Sequence, residues 1–140
     1  MLFRSDIGNP SPRRELAPLC NKITREQVAH VVNTFYVKLR VDPELQHFFA
    51  HIPDFTAHQA HIADFWWIAM GGCVAEHRPF DMIGRHLPLR LSENHIFRWL
   101  ELFRATCLEQ LPQELAEQWF QMAQGIGKNL TRILLGATQK

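Results

Sequence analysis

Tyrosine is almost missing from this chain: Tyr36 stands alone among ten Phe, four Trp and eight His in 140 residues. An excess of either charge is missing too. Fifteen Lys and Arg face 14 Asp and Glu, for a net charge of +1. With no basic run, that balance argues against nucleic acid or an anionic membrane surface as a partner. No apolar run approaches the ~20 residues of a membrane span. Cysteine is limited to Cys20, Cys73 and Cys107, an odd count without C-x-x-C spacing. These read as reduced thiols, so a cytoplasmic setting is expected. Residues Met1 to Asp6 carry neither a long apolar stretch nor a small-residue cleavage site, and no signal peptide is expected. The common catalytic signatures are lacking as well. There is no Ser-His-Asp, Cys-His or phosphate-loop pattern, no obvious carboxylate pair, and no recurring Glu-x-x-His.

What is present is a helical pattern. Apolar residues make up 46% and charged residues 21%, a composition that suits one globular domain with a real core. Pro10, Pro12 and Pro18 with Gly8 predict an irregular arm over residues 1–22, followed by a domain over 23–136 and a short tail over 137–140. Thr24 and Gln27 fit a capping box, and Ile23 with Val28 a hydrophobic staple. Val28, Val31, Val32, Phe35 and Leu39 then recur at helical spacing, with Tyr36 at the edge of the stripe. This helix is expected to stop near Val41, where Asp42-Pro43 starts a short turn ending in Leu45 and Phe48-Phe49. A second helix begins near Asp54. It sets His58, Ile62, Phe65, Trp66 and Ala69 on one face and ends at Gly71-Gly72. Residues 73–91 read as irregular, with room for a short helix around Phe80 to Arg85. Ser92-Glu93 opens a third long helix with Ile96, Trp99, Leu100, Phe103 and Cys107 on one side. Pro112 opens the last, with Leu115, Trp119, Met122, Ile126, Leu130 and Ile133 along one flank. Period-two alternation is absent, so the expected fold is all-α: four substantial helices joined by short turns.

Several residues stand out chemically. The inward face of the second helix is a histidine, His58, followed by large apolar groups; alone it reads as a core face. His86 sits in Arg85-His86-Leu87-Pro88-Leu89, a constrained loop. Trp99 and Tyr36 would each bury a polar tip that needs a hydrogen-bond partner. Together with His58 they suggest a cavity for a polar ligand. His30, His47, His51, His61, His77 and His95 read as mainly solvated. However, His47 with His51 and His58 with His61 have spacings that can bind a metal on a helix. A non-haem metal protein using these four, and a cofactor-free helical sensor or interaction module, therefore remain alternatives.

The order Phe35-Tyr36, Phe49, His58 with Ile62 and Phe65-Trp66, His86-Leu87, then Phe97-Arg98-Trp99-Leu100-Glu101-Leu102-Phe103 resembles the truncated haemoglobins, in particular their third group. The resemblance runs from about Ile23 to Leu135. It implies a shortened globin in which two antiparallel helix pairs cross and sandwich haem b, iron protoporphyrin IX. It also implies His86 as the proximal iron ligand and Tyr36, His58 and Trp99 as the distal polar set. Phe35, Phe49, Ile62, Phe65 and Trp66 would then form the cofactor pocket, with Arg90 or Arg85 near the propionates. The implied ligands are dioxygen, nitric oxide or peroxide, with nitric oxide dioxygenase-like or peroxidase-like chemistry and a reductase partner. The chain departs from the family in two places: Glu76-His77-Arg78-Pro79 stands where the family carries a tyrosine, and the turn between Phe49 and Phe55 is short.

Overall fold

The structure, a computed structural model, describes residues 18–76 and 81–138. Most of the arm expected over 1–22, together with His77 and the start of the short helix expected near Phe80, lies outside the described residues. The described residues form five α-helices: α1 Arg25–Leu39, α2 Phe55–Ala69, α3 Met82–His86, α4 Glu93–Gln110 and α5 Gln113–Thr138. None of them is a strand, as the missing period-two alternation implies.

Local chemistry sets the helix starts. Thr24 Oγ1 accepts from Gln27 N at 3.0 Å, and the Gln27 side chain returns the bond to Thr24 N, completing the capping box. Asp54 caps α2 by accepting from Ala57 N. At α4 the box is made by Ser92 and His95, whose Nδ1 accepts from Ser92 N. Each such cap satisfies amide groups that no helical partner can reach. α1 stops at Leu39, two residues short of Val41. Asp42 then turns the chain by accepting from Glu44 N, and a 3-10 turn over Gln46–Phe49 follows. After α2 the chain reverses at Gly71, whose φ of +104° is open to glycine but strained for other residues.

The helices form two antiparallel pairs. Arg25 reaches Asp64, and Tyr36 reaches His58, so α1 runs against α2. Arg104 pairs with Glu117, and Gly127 packs on Leu100 and Ile96, so α4 runs against α5. A Cβ at Gly127 would stand 3.3 Å from the Leu100 side chain; the glycine lets the two helices close in on each other. α1 also packs on α4, which lays one pair across the other.

At the crossing lies the core. Val31, Leu39, Phe103, Cys107 and Trp119 are fully enclosed. Trp99 and Trp66 both stack on Phe103, at 5.3 and 5.6 Å with interplanar angles of 14° and 15°. Phe35 and Trp119 meet Phe103 edge-on. Burying each of these aromatic rings contributes about 2–3 kcal/mol relative to exposure.

Two expectations change. His86 is the last residue of a five-residue helix instead of a loop residue. The packed structure also starts before residue 23: Leu19 is buried in a 3-10 turn, and Cys20 N donates to Met70 O at 3.1 Å.

Candidate functional site

The crossed pairs leave a cavity of about 720 Å³ between them. That lies in the range of roughly 300–1,000 Å³ occupied by small-molecule and cofactor pockets. Every long helix contributes to its wall, and the short α3 with the turn Leu87–Leu89 supplies another part.

The α1, α2 and α4 walls carry the polar tips. Tyr36, the second residue of a buried pair with Phe35, projects from the last turns of α1. Its hydroxyl lies 2.8 Å from His58 Nε2 on α2. Phe49 and Phe55 meet the phenol ring edge-on at 5.6 and 6.3 Å, which fixes it in place. Burial pushes the Tyr36 phenol far above its usual range, with Arg85 pulling the other way, so the hydroxyl keeps its proton. Burial also lowers the His58 pKa, with smaller contributions from Arg85, His61, His51 and His86. A neutral imidazole results. Trp99 lines the same cavity from α4, held between its stack on Phe103 and an edge-on contact with Phe35 at 5.0 Å.

His86 lines the cavity from α3. Its Nδ1 lies 2.6 Å from Met82 O, one helical turn back. A carbonyl can only accept, so Nδ1 carries the proton and the ring's lone pair is on Nε2. Burial lowers the His86 pKa and Arg85 adds to this, while the bond to Met82 opposes. The group is thus a neutral imidazole of defined tautomer. A backbone acceptor behind the ligating ring is the arrangement that orients metal-bound histidines.

Of the residues singled out in the sequence, Tyr36, His58, Trp99, Phe35, Phe49, Ile62, Phe65, Trp66 and His86 all line this one cavity. Arg90 does not. It caps the 3-10 turn in the left-handed region, at φ 56° and ψ 49°, and is exposed. Arg85 lines the cavity instead, and its charge acts on Tyr36, His58 and His86 alike. His51, His61 and His95, read as solvated, also line it. Their placement depends on how a turn and two helix faces meet, which spacing along the chain does not encode. The α5 lining, Ile126 and Leu130, was visible as a core stripe but not as a pocket wall. The alternative metal site of His47, His51, His58 and His61 does not form. Among the described residues no three His, Cys, Asp or Glu side chains come together to hold an ion.

A largely apolar cavity between crossed helix pairs, lined by the His86 imidazole on one element and by Tyr36, His58 and Trp99 on others, is the architecture of a globin. The comparisons with known proteins agree. The bacterial-like globin family matches residues 20–130, and the chain belongs to it. The crystal structure of group III truncated hemoglobin from Campylobacter jejuni is similar over 80% of this chain and 91% of that one, at 25% identity and a TM-score of 0.69. No protein among the curated sequences matches. The chain is therefore a haem-binding globin, similar in structure to a truncated hemoglobin of group III. No described helix is long and apolar enough to cross a membrane.

Proposed function

We propose that His86 is the proximal ligand of haem b and that Tyr36, Trp99 and His58 govern a diatomic ligand on the other face. One observation carries this reading: a neutral imidazole with its Nδ1 pinned to Met82 O shares a single cavity with the Tyr36–His58 pair and Trp99. The His86 tautomer places the lone pair where a ligand bond needs it, with no proton to remove. The apolar lining suits a porphyrin face, and the chain has no C-x-x-C-H attachment motif, which favours non-covalent haem b. Arg85, at the cavity wall, is the better partner than Arg90 for the propionate carboxylates.

When bound, haem would supply an iron position for a diatomic gas, whose outer atom is the one to receive hydrogen bonds. The protein's part is to place donors there. A neutral His58 with its proton on Nε2 donates to the Tyr36 oxygen, which leaves the phenol proton to turn into the cavity. The Trp99 indole is the second donor. Each net hydrogen bond is worth about 1 kcal/mol, so each slows ligand release by roughly fivefold or more. Ile62, Phe65 and Trp66 keep the site dry, which strengthens those bonds. Several donors suit retention and activation of a ligand better than rapid release. Nitric oxide detoxification or peroxide reduction, supported by a cytoplasmic reductase, is therefore the favoured activity over oxygen transport.

The test is a titration of haem into the wild-type protein and His86→Ala, read by absorption in the ferric, ferrous and ligand-bound forms. The wild type is expected to give an intense blue-violet band with a ligand-dependent shift. His86→Ala is expected to bind haem weakly, with an altered ferrous spectrum. Identical spectra from the two proteins would remove His86 from the iron.

A further inference from the structure

We propose that Tyr36 and His58 form a built electron donor to the cofactor: when a hydroperoxide is reduced in the pocket, Tyr36 gives up an electron and its hydroxyl proton passes to His58 Nε2. The proposal rests on the haem reading and assigns its distal pair a redox role.

The geometry is that of a coupled transfer. The two atoms to be joined by the moving proton are 2.8 Å apart. The phenol is 6% exposed, and its ring is clamped edge-on by Phe35, Phe49 and Phe55. Burial keeps the proton on Tyr36 beforehand, so the proton leaves with the electron or after it. An oxidised phenol is a far stronger acid than the phenol, and the neutral His58 imidazole is within hydrogen-bond reach to take the proton. Burial and the field of Arg85, His61, His51 and His86 disfavour a proton on His58, so the imidazolium readily gives it back.

Hydroperoxide reduction, ROOH + 2 H⁺ + 2 e⁻ → ROH + H₂O, breaks the O–O bond and takes both protons from solvent. One of the two electrons would come from the ferric iron of the bound haem. Tyr36 supplies the other: its O–H bond breaks, a new N–H bond forms on His58, and a neutral phenoxyl faces an imidazolium. Two equivalents of a one-electron donor, a phenol or an enediol, restore both centres, and His58 returns the proton. The two neutral tautomers of His58 thus separate two uses of one pair. A proton on Nε2 frees the phenol to donate to a ligand, and a proton on Nδ1 readies Nε2 to receive. The competing donors are the indoles. Trp119 is the poorest of them, since its buried Nε1 has no hydrogen-bond partner among the described residues and its proton would have nowhere to go.

Because Tyr36 is the chain's single tyrosine, ring-deuterated tyrosine labels one site. The experiment is rapid-freeze electron paramagnetic resonance of the ferric holoprotein mixed with hydrogen peroxide. The expected signal is an organic radical that narrows with deuterated tyrosine in the wild-type sequence and is missing from Tyr36→Phe. In His58→Leu the radical yield is expected to fall about tenfold, the factor that one hydrogen bond to a charged group is worth. The high-field g1 value is expected to rise there as the phenoxyl oxygen loses its hydrogen bond. The idea is overturned by a signal that narrows with deuterated tryptophan instead, by no organic radical at all, or by a His58→Leu protein with unchanged yield and g1. Failure of the haem reading itself would show in the absorption spectrum before peroxide is added, so the two failures are distinct.

Discussion

The walls of the cavity are built in two different ways. Tyr36, His58 and Trp99 stand on helices of 15, 15 and 18 residues, each with a side-chain cap at its start and a ring of aromatic contacts behind it. His86 stands on a helix of five residues, followed by a 3-10 turn that ends with a strained left-handed residue. Tyr36, His58 and Trp99 are thus held by long helices of the core, whereas the His86 imidazole stands on a short helix with its Nδ1 bonded to Met82 O. Precision is needed on the distal side, where a hydrogen bond must meet a ligand atom. At His86, in the assignment proposed above, an iron bond would add to the hold of the short helix, because metal binding and local folding are coupled.

The largest effect is expected from breaking the distal scaffold. Phe103 is the hub on which Trp99, Trp66, Phe35 and Trp119 converge, and it is fully buried. Phe103→Ala should cost about 3–5 kcal/mol of stability by denaturant titration. Equal stability would show that the stack does not support the wall.

Smaller and more specific is the loss of single donors. Tyr36→Phe and Trp99→Phe should each raise the oxygen dissociation rate, by roughly five- to tenfold, in stopped-flow mixing. Unchanged rates in both would leave the distal wall with no role in ligand retention.

A third prediction concerns the hinge between α1 and the turn that carries Phe49. Asp42 is buried, and Arg98 Nε and Nη2 both donate to its Oδ1, at 3.0 and 2.6 Å. The Arg98 hydrogen bonds hold its carboxyl below the usual carboxylate range despite burial. A depressed folded pKa means that the contribution is full above an unfolded pKa of about 3.9 and is lost as pH falls through the lower folded value. Asp42→Asn should therefore lower stability at neutral pH by about 1–3 kcal/mol and flatten the acid limb of the stability–pH curve. An acid limb as steep as the wild type's would assign that slope to other carboxylates.

The smallest change tests the proximal side. Arg90→Gly removes a side chain from a left-handed position and should raise stability by about 1 kcal/mol, with haem affinity unchanged. A marked fall in haem affinity would return Arg90 to the propionates in place of Arg85.

How far the sequence foretold this follows the same division. The caps at Thr24, Asp54 and Ser92, the stripes of the long helices and the glycine stop after α2 were legible, because each is a local pattern with a local cause. So was the grouping of Tyr36, His58, Trp99 and His86, although through their order along the chain as a resemblance and not through spacing alone. The helical state of His86 was not legible: Gly84 and Pro88 bracket it, and five residues are too few to show a period. Arg85 could not be told from Arg90 for a related reason. Which arginine meets the cavity depends on where a single short turn ends. The lining by His51, His61 and His95 depends on tertiary packing, and a polar residue at a pocket wall looks the same in sequence as one in water.

The direct test of the central claim is the resonance Raman spectrum of the ferrous, ligand-free protein. The account predicts an iron–histidine stretching band in the wild type, its loss in His86→Gly, and its return when free imidazole is added to that variant. A band that persists unchanged in His86→Gly would mean that another residue holds the iron.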